Sequence, residues 1–311
     1  MTFSKSINIL FLLLLNLTCR PTLNTLKNPK IEITQNFEAG KTYNYTIQKS
    51  NLESISETQL MDFPIINVSL QITSLNDSLK DCSWNYGNMV IPPNNSEIYS
   101  KDIETIFNGI SIKFILDSKG VFNEITNFEE VKNGLENLLL KSGKLTTVDF
   151  NKTEYRNSIE AIRFTYNTPE LIISSYFEEL NILFSLFGEE IDIDSVNIDR
   201  LEIPEGIING HHSGMAYTEI EEVDHPNMHI VQKRIFGKEF LIDFLKGISR
   251  KLPKRNDKLK EFENIENGEA SILIKYYYNY VDKIMTKVES TKTIIYNQQK
   301  THKTTIITLV K

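Results

Sequence analysis

Cysteine is almost absent from this sequence of 311 residues, which contains only Cys19 and Cys82. Two cysteines can form at most one disulfide, so no disulfide framework is predicted and stability must come from a hydrophobic core. The length is sufficient for such a core in one large domain or in two of ordinary size. Cys82 stands close to Trp84 in a strand-like segment and is predicted to be a small buried hydrophobic residue.

An excess of basic residues is also missing. The chain has 34 lysines and arginines against 41 aspartates and glutamates, a formal net charge of −7 at pH 7. Nucleic-acid binding depends on a basic surface that neutralises phosphates, so no nucleic-acid partner is expected. The hydrophobic content of 40% and the charged content of 24% are ordinary for a globular protein and exclude wholesale disorder.

Glycine is scarce, with 13 residues, and the glycine-rich motifs that cradle phosphates or dinucleotides are absent. The segment 210–214, Gly-His-His-Ser-Gly, places its serine one residue too late for the Gly-x-Ser-x-Gly turn of serine hydrolases. Because no other catalytic signature is found, the chain is predicted to be non-enzymatic and to need no cofactor.

Four of the five histidines fall in one stretch, as His211, His212, His225 and His229. Neutral imidazoles with carboxylates nearby are common zinc ligands, so these four are the candidate metal ligands. Pro226 favours a turn over the helix that would pair His225 with His229. We therefore interpret the histidines as polar groups at the rim of a sheet. A metal-dependent hydrolase that uses them is the least favoured alternative.

Long hydrophobic runs are absent except at the N-terminus, where residues 7–17 are almost entirely apolar and follow Lys5. This run is shorter than the about 20 apolar residues that a membrane-spanning helix needs, but it is typical of a signal peptide. Residues 1–18 are therefore predicted to be a signal peptide for export, and residues 19–30 a tether. Two alternatives remain open: ordinary cleavage near residue 20, which would give a secreted protein, and an uncleaved amphipathic anchor.

The end of this segment resembles the lipobox of bacterial lipoproteins, in which a signal peptidase cuts before a cysteine that is then acylated. Residues 15–19 read Leu-Asn-Leu-Thr-Cys, with Asn16 where leucine is usual and Thr18 where a smaller residue is usual. The resemblance implies an acyl anchor on Cys19 and a location at the cell envelope, in the outer membrane or the periplasm. Because Cys82 is predicted to be a buried thiol without a partner, acylation accounts for Cys19 better than a disulfide does.

Apolar and polar residues alternate in the first and last thirds of the chain, which is typical of half-buried antiparallel strands. The clearest alternating segments are 43–47, 68–72, 271–281, 283–296 and 304–310. Segments 112–116 and 121–125 flank Asp117-Ser118-Lys119-Gly120 and predict a β-hairpin, in which Gly120 supplies the positive φ.

The middle of the chain, over about 126–188, changes to helical periodicity. Helices are predicted over 126–143, 155–162, 168–188 and, further on, 241–252. Thr126 with Glu129 forms a capping box for the first helix. Thr168 is the predicted N-cap of the third, and Pro169 its first helical residue.

These patterns predict an α+β fold, a curved antiparallel sheet (incomplete barrel) covered by three or four amphipathic helices, in a single domain over 31–311. The hairpin at 112–121 with the capped helix after it, and the segment 268–310, resemble uncharacterised lipoproteins of the bacterial cell envelope. More distantly they are similar to the LolA/LolB and LppX carriers. That resemblance implies an acyl chain held between a curved sheet and its helices, and it includes no catalytic motif.

The unusually apolar helix at 168–187 predicts that a hydrophobic small molecule or lipid binds between this helix and the sheet. Alternation along the strand sends Tyr276 and Tyr278 to one face and Tyr277 to the other. The expected lining residues are Tyr176, Leu180, Phe184 and Phe187 of the helix and Tyr276 and Tyr278 of the strand. The alternative is a cell-surface interaction or structural module with a solid core, which contacts a partner protein and has no cavity.

Overall fold

The computed structural model describes residues 29–50, 63–75, 78–91, 110–145, 159–160, 162–201, 214–242, 268–296 and 299–310. The predicted signal peptide, Cys19 and most of the tether lie outside these ranges. The strands are β1 (Lys30–Glu32), β2 (Thr42–Ser50), β3 (Ile65–Leu75), β4 (Leu79–Val90), β5 (Ser111–Asp117), β6 (Phe122–Ile125), β7 (Glu190–Asp192), β8 (Asn197–Leu201), β9 (Gly214–Asp224), β10 (Asn227–Phe236), β11 (Gly268–Asn279), β12 (Ile284–Tyr296) and β13 (Gln299–Val310). The helices are α1 (Phe128–Leu145), α2 (Pro169–Tyr176) and α3 (Glu178–Phe184).

Eleven of the strands form one sheet in the order β6-β5-β4-β3-β2-β13-β12-β11-β10-β9-β8, and β1 pairs with β7 in a separate two-stranded sheet. Every neighbouring pair in the large sheet is antiparallel. The sheet is not closed, because its edge strands β6 and β8 do not pair with each other. The antiparallel sheet predicted from the alternating segments is therefore confirmed. The N-terminal strand β2 and the C-terminal strand β13 lie side by side at its centre.

The segment 33–37, between β1 and β2, crosses one end of the sheet and hydrogen-bonds to turns of two distant strand pairs. The N–H of Gln35 donates to the Lys119 carbonyl in the β5–β6 turn at 3.0 Å, and the N–H of Asn36 to the Lys283 carbonyl before β12, also at 3.0 Å. Because consecutive backbone nitrogens are less than about 3.8 Å apart, the two carbonyls lie within about 10 Å of each other. Strands β5 and β11 are six positions apart in the sheet order, and a flat sheet would separate them by roughly 29 Å. The sheet is therefore curved, as expected.

The hairpin predicted around Asp117 is the β5–β6 turn. The Asp117 carboxylate accepts from the N–H groups of Lys119 and Val121, each at 2.9 Å. Gly120 has a φ of 96°, and a Cβ there would lie 2.8 Å from Cβ of Gln35. A glycine is required at this position because its φ is positive and because Gln35 of the segment 33–37 packs too closely to leave room for a side chain.

The first predicted helix begins later than the capping box at Thr126 indicated. Helix α1 starts at Phe128, and the Asn127 side chain accepts from the N–H of Lys113 at 2.8 Å. This bond ties the start of α1 to β5, so contact with the sheet decides the boundary. Of the other predicted helices, 155–162 and 241–252, only helical residues at 159–160, 162–164 and 238–242 fall within the described ranges.

The third predicted helix has the expected N-cap, since Thr168 Oγ1 accepts from the N–H of Leu171 at 3.3 Å. The prediction of one continuous helix was wrong, because the chain breaks at Phe177, with φ −125° and ψ 40°, into α2 and α3. Neither helix is one-sided: residues 171–175 and 177–184 are all buried. A helix that is buried all round belongs to a core rather than to a surface.

The helical part is smaller than predicted, since α1 has 18 residues but α2 and α3 have only 8 and 7. Within the described part of the chain, no helix is long and apolar enough to cross a membrane. The fold is thus mainly an open, curved antiparallel sheet whose concave face holds two short buried helices.

Candidate functional site

The segment 169–187, which contains α2 and α3, lies against the concave face of the sheet. The Phe184 ring packs edge-on against Phe114 of β5, with 5.6 Å between ring centroids. The next residue, Ser185, has its Oγ 2.8 Å from the hydroxyl of Tyr276 on β11. Consecutive residues therefore contact strands that are six positions apart, which is possible only because the sheet curves around this segment. We call residues 169–187 the inner segment.

Five of the six lining residues predicted from the sequence are in the core. Leu180, Phe184, Phe187, Tyr276 and Tyr278 have exposed fractions of 0–2%. The sixth, Tyr176, is partly buried, and its hydroxyl is 2.8 Å from Thr165 Oγ1. Phe184 lies beside Ser185, which contacts Tyr276. The Tyr278 hydroxyl instead donates to the Thr34 carbonyl at 2.7 Å, at the end of the sheet that the segment 33–37 crosses. Their role in ligand binding stays a prediction.

Two consecutive acidic residues, Glu178 and Glu179, begin α3, and each is only 1% exposed. Oε1 of Glu178 accepts from Lys303 Nζ at 2.7 Å and from Thr305 Oγ1 at 3.0 Å. Its Oε2 accepts from Lys292 Nζ at 2.7 Å. Both carboxylate oxygens are thus bonded to β12 and β13, which is the condition for burying a charge without a prohibitive desolvation cost.

Glu179 is bonded on the other side of the same cluster. Its Oε2 accepts from Lys49 Nζ of β2 at 2.8 Å, and its Oε1 accepts from the Tyr86 hydroxyl of β4. The Lys49 Nζ also lies 3.9 Å from Glu178 Oε1. Among the described residues, three ammonium groups from three neighbouring strands therefore surround two carboxylates of the inner segment.

The electrostatics of the cluster follow from burial and from these neighbours. Burial raises the pKa of Glu178, but Lys292, Lys303 and Lys49 outweigh it and hold that pKa well below its usual range. Burial lowers the pKa of Lys292 to about 8, against the attraction of Glu178 and with the help of Lys303. For Lys49, the two glutamates outweigh burial and raise the pKa. Glu178, Lys292 and Lys49 are therefore ionised at neutral pH.

None of these lysines was predicted as a functional residue, although the sequence contained a signal. Lys49 follows the buried Ile47 by two residues on β2, and Lys292 precedes the buried Ile294 by two residues on β12, so both lysines occupy inward positions. Lys303 has the same inward parity on β13. A charged residue at an apolar position of a strand is unusual, and three of them indicate a shared buried counter-ion.

A small polar cleft lies beside β8, β9 and β10. Its volume is about 30 Å³, room for about two water molecules. Gln232 bridges its wall, donating to Thr218 Oγ1 at 3.1 Å and accepting from Arg234 Nε at 2.8 Å. Burial raises the pKa of Asp199, which also lines the cleft, with Lys30 opposing. A cleft of this size does not hold an acyl chain, since drug-sized ligands occupy roughly 300–1,000 Å³.

The histidines are only partly described, since His211 and His212 lie outside the described ranges. His225 is in the β9–β10 turn that Pro226 predicted, with Nδ1 2.6 Å from the Tyr280 hydroxyl. His229 has Nδ1 3.2 Å from Glu222 Oε2. Among the residues that the structure describes, no three or more His, Cys, Asp or Glu side chains are grouped so as to hold a metal ion.

Cys82 is buried and forms no disulfide. Burial raises the pKa of its thiol to about 12, although Lys80 acts in the opposite direction. A thiol with a raised pKa is protonated at neutral pH, so we expect it to be unreactive in the folded protein. The prediction that Cys82 is a small buried hydrophobic residue is confirmed.

No family model matches the sequence, and no curated protein matches it either. A solved structure of lipovitellin, described by its lipid–protein interactions, superposes on this chain with a TM-score of 0.39 and 11% sequence identity. The match covers 89% of this chain and 26% of the lipovitellin chain, so this chain spans about a quarter of that length. A superposition this loose assigns neither family nor function.

Proposed function

We propose that this chain is an exported, lipid-anchored protein of the bacterial cell envelope. Its incomplete antiparallel barrel would bind a hydrophobic small molecule or lipid on the concave face, without catalysis. The observation that carries the proposal is the enclosure of a short apolar segment by a sheet that curves from β5 to β11. The inner segment occupies the space in which an acyl chain would lie.

The way in which the inner segment is held supports this role. Among the described residues, its backbone hydrogen bonds are made within the segment or with the flanking residues Thr168 and Glu189, so only side chains join it to the large sheet. Each fully buried leucine or phenylalanine contributes about 1.5–3 kcal/mol to the free energy of unfolding. A bound lipid chain would make apolar contacts of the same kind with the sheet. The segment can therefore act as a cover that moves aside when a ligand enters, while the sheet keeps its strand pairing.

Export and anchoring rest on the sequence. Residues 7–17 form the one long apolar run, Cys19 follows it in a lipobox-like context, and Cys82 is buried without a disulfide. An acyl anchor on Cys19 would hold the domain close to a membrane, which is also the source of hydrophobic ligands. An envelope location and a lipid ligand are therefore mutually consistent.

The experiment that tests the proposal is mass spectrometry of the full chain expressed in a bacterium and purified from its membranes. We expect an intact mass that begins at Cys19 and carries acyl groups, and native spectra with a lipid that is lost on denaturation. A Cys19→Ser variant should lack the acyl mass and leave the membrane fraction but still retain the ligand. A wild-type protein that releases no lipid and takes up no acyl compound after delipidation would overturn the binding function.

The second candidate is an interaction module without a cavity, and the dense packing of the inner segment favours it. Leu180 and Leu186 are 0% exposed, and Phe187 is 2% exposed. Hydrogen exchange separates the two functions. A movable cover predicts that amides of α2 and α3 exchange faster than those of β12 and β13, whereas a solid core predicts equal protection.

A further inference from the structure

The concave face of the sheet carries a compact polar patch across its three central strands. We call it the lysine patch; it consists of Lys49 on β2, Lys303 and Thr305 on β13, and Ser290 and Lys292 on β12. The strand registers place Thr305 opposite both Lys49 and Ser290, and Lys303 opposite Lys292. The next row along the same strands is apolar and buried, consisting of Ile47, Ile307 and Val288. The patch is thus a cationic site at the edge of an apolar surface.

The inner segment supplies negative charge to this patch. Lys292 and Lys303 face each other directly across two strands, an arrangement in which like charges repel. Buried ammonium groups need counter-ions, and the nearby anions are Glu178 and Glu179 of the inner segment. The Ser290 hydroxyl is 1% exposed and has no hydrogen-bond partner in the part of the chain that the structure describes. Among the residues that the structure describes, the patch therefore has one ammonium group more than the two glutamates, and Ser290 offers a hydrogen bond that Glu178 does not use.

Glu178 and the residues after it resemble an anionic amphiphile, because a charged group is followed by apolar groups. The carboxylate is held at both oxygens by the lysine patch, and the buried apolar side chains of Leu180, Leu183 and Phe184 follow it. We propose that the lysine patch is the binding site for the headgroup of an anionic amphiphile, a carboxylate or phosphate on an acyl chain, and that Glu178 occupies this site when no ligand is bound. This proposal rests on the proposed function, because it names the chemical class of the hydrophobic ligand.

The single tryptophan of the chain, Trp84, provides a built-in reporter. It lies on β4 with 0% exposure, and its ring centroid is 5.7 Å from that of Tyr45 on β2. Bromine atoms on an acyl chain that enters the concave face would quench its fluorescence at close range. The full chain, delipidated, is titrated with dibromostearic acid and with its uncharged methyl ester. Competition with lysophosphatidic acid and with stearate then separates a phosphate headgroup from a carboxylate.

We expect the acid to quench Trp84 with a Kd at least tenfold lower than that of the ester. Lys303→Gln, at a side chain that is 18% exposed, and Lys292→Gln should each weaken binding of the acid about tenfold and leave the ester unchanged. Glu178→Gln removes the internal competitor and should bind the acid about tenfold more tightly than the wild type does. The matched control is Lys233→Gln on β10, an exposed lysine of the same sheet, which should change neither titration.

Circular dichroism of each variant, recorded at the titration temperature, shows that it is folded before its binding is compared. Equal affinity for acid and ester in the wild type overturns the headgroup site and leaves the hydrophobic-ligand function standing. The same conclusion follows if Glu178→Gln and Lys303→Gln both bind the acid as the wild type does. No quenching by either compound, in the wild type and in Glu178→Gln alike, overturns the headgroup site and the proposed function together.

Discussion

Glu178→Gln is the most informative perturbation of the charged cluster, because it keeps the side-chain shape and removes one charge. In the wild type the carboxylate is 1% exposed and lies 2.7 Å from Lys292 Nζ, which is itself almost fully buried. Removing one partner of a buried ion pair costs about 3–5 kcal/mol, since the remaining charge stays buried and uncompensated. The free energy of unfolding of an ordinary domain is about 5–15 kcal/mol. We therefore expect a folded variant that has lost much of its free energy of unfolding.

Urea unfolding monitored by Trp84 fluorescence and by circular dichroism measures this loss. The matched control is Glu136→Gln, which removes a carboxylate 2.6 Å from Arg163 at the surface, where an ion pair contributes about 0–1 kcal/mol. A double variant, Glu178→Leu with Lys292→Met, removes both charges of this one pair and should recover part of the loss, since apolar replacement of a buried pair is often neutral. The reasoning is refuted if Glu178→Gln and Glu136→Gln cost the same, or if the double variant is as unstable as the two single changes added together.

The same variant gives a pH signature with a definite sign. The lysines hold the pKa of Glu178 well below its ordinary value of 4.5, so its ionisation stabilises the fold fully above the unfolded-state pKa. That contribution is lost as the pH falls through the folded-state pKa. The difference in unfolding free energy between wild type and Glu178→Gln should therefore be constant near neutral pH and shrink in acid, below about pH 4. A difference that does not change with pH would contradict the assignment.

Three further predictions concern other positions. Burial lowers the pKa of Lys292 to about 8 from 10.5, so the unfolded chain binds more protons between these values. The stability of the wild type relative to Lys292→Met should therefore rise from pH 8 to pH 10 in thermal melts. Gly188 has a φ of 82°, and a Cβ there would lie 2.5 Å from Val121, so Gly188→Ala should destabilise the protein by more than about 1 kcal/mol in urea titrations. The control is Gly134→Ala inside α1, where no atom lies within 4 Å of the new Cβ; this change should stabilise the protein by about 0.5–1 kcal/mol. The thiol of Cys82, whose pKa burial raises to about 12, should react with Ellman's reagent only at the rate of unfolding, and fast labelling of the folded protein would disprove its burial.

Local features of the fold could be read from the sequence with good accuracy. The hairpin at Asp117, the N-cap at Thr168 and the inward positions of Tyr276 and Tyr278 depend on residue spacing and on short-range hydrogen bonds. The break at Phe177 could not be read in this way, since the apolar residues Ile172, Tyr176 and Leu180 keep a helical spacing across it. Helical periodicity records which residues are apolar, and in a helix that is buried on all sides the pattern contains no boundary.

The candidate site was predictable only in part. The sequence indicated an apolar helix over a β-rich scaffold, and the predicted lining residues Leu180, Phe184 and Tyr276 are indeed buried. The charged cluster was not anticipated, although Lys49, Lys292 and Lys303 all occupy inward positions. A single inward lysine has many ordinary explanations, and only knowledge of which strands are neighbours combines three of them into one site.

By itself, the sequence determined the strands, their inward and outward faces, the hairpin at Asp117 and the burial of Cys82, because each of these depends on alternation or on neighbours within a few residues. Only the tertiary structure decided that β2 pairs with β13, which places Lys49 opposite Thr305, 256 positions further along the chain. It also decided that the sheet curves far enough for Phe114 and Tyr276 to contact consecutive residues of the inner segment. Register and curvature arise from contacts between distant strands. No local pattern encodes those contacts, and they turn scattered lysines and glutamates into one buried cluster.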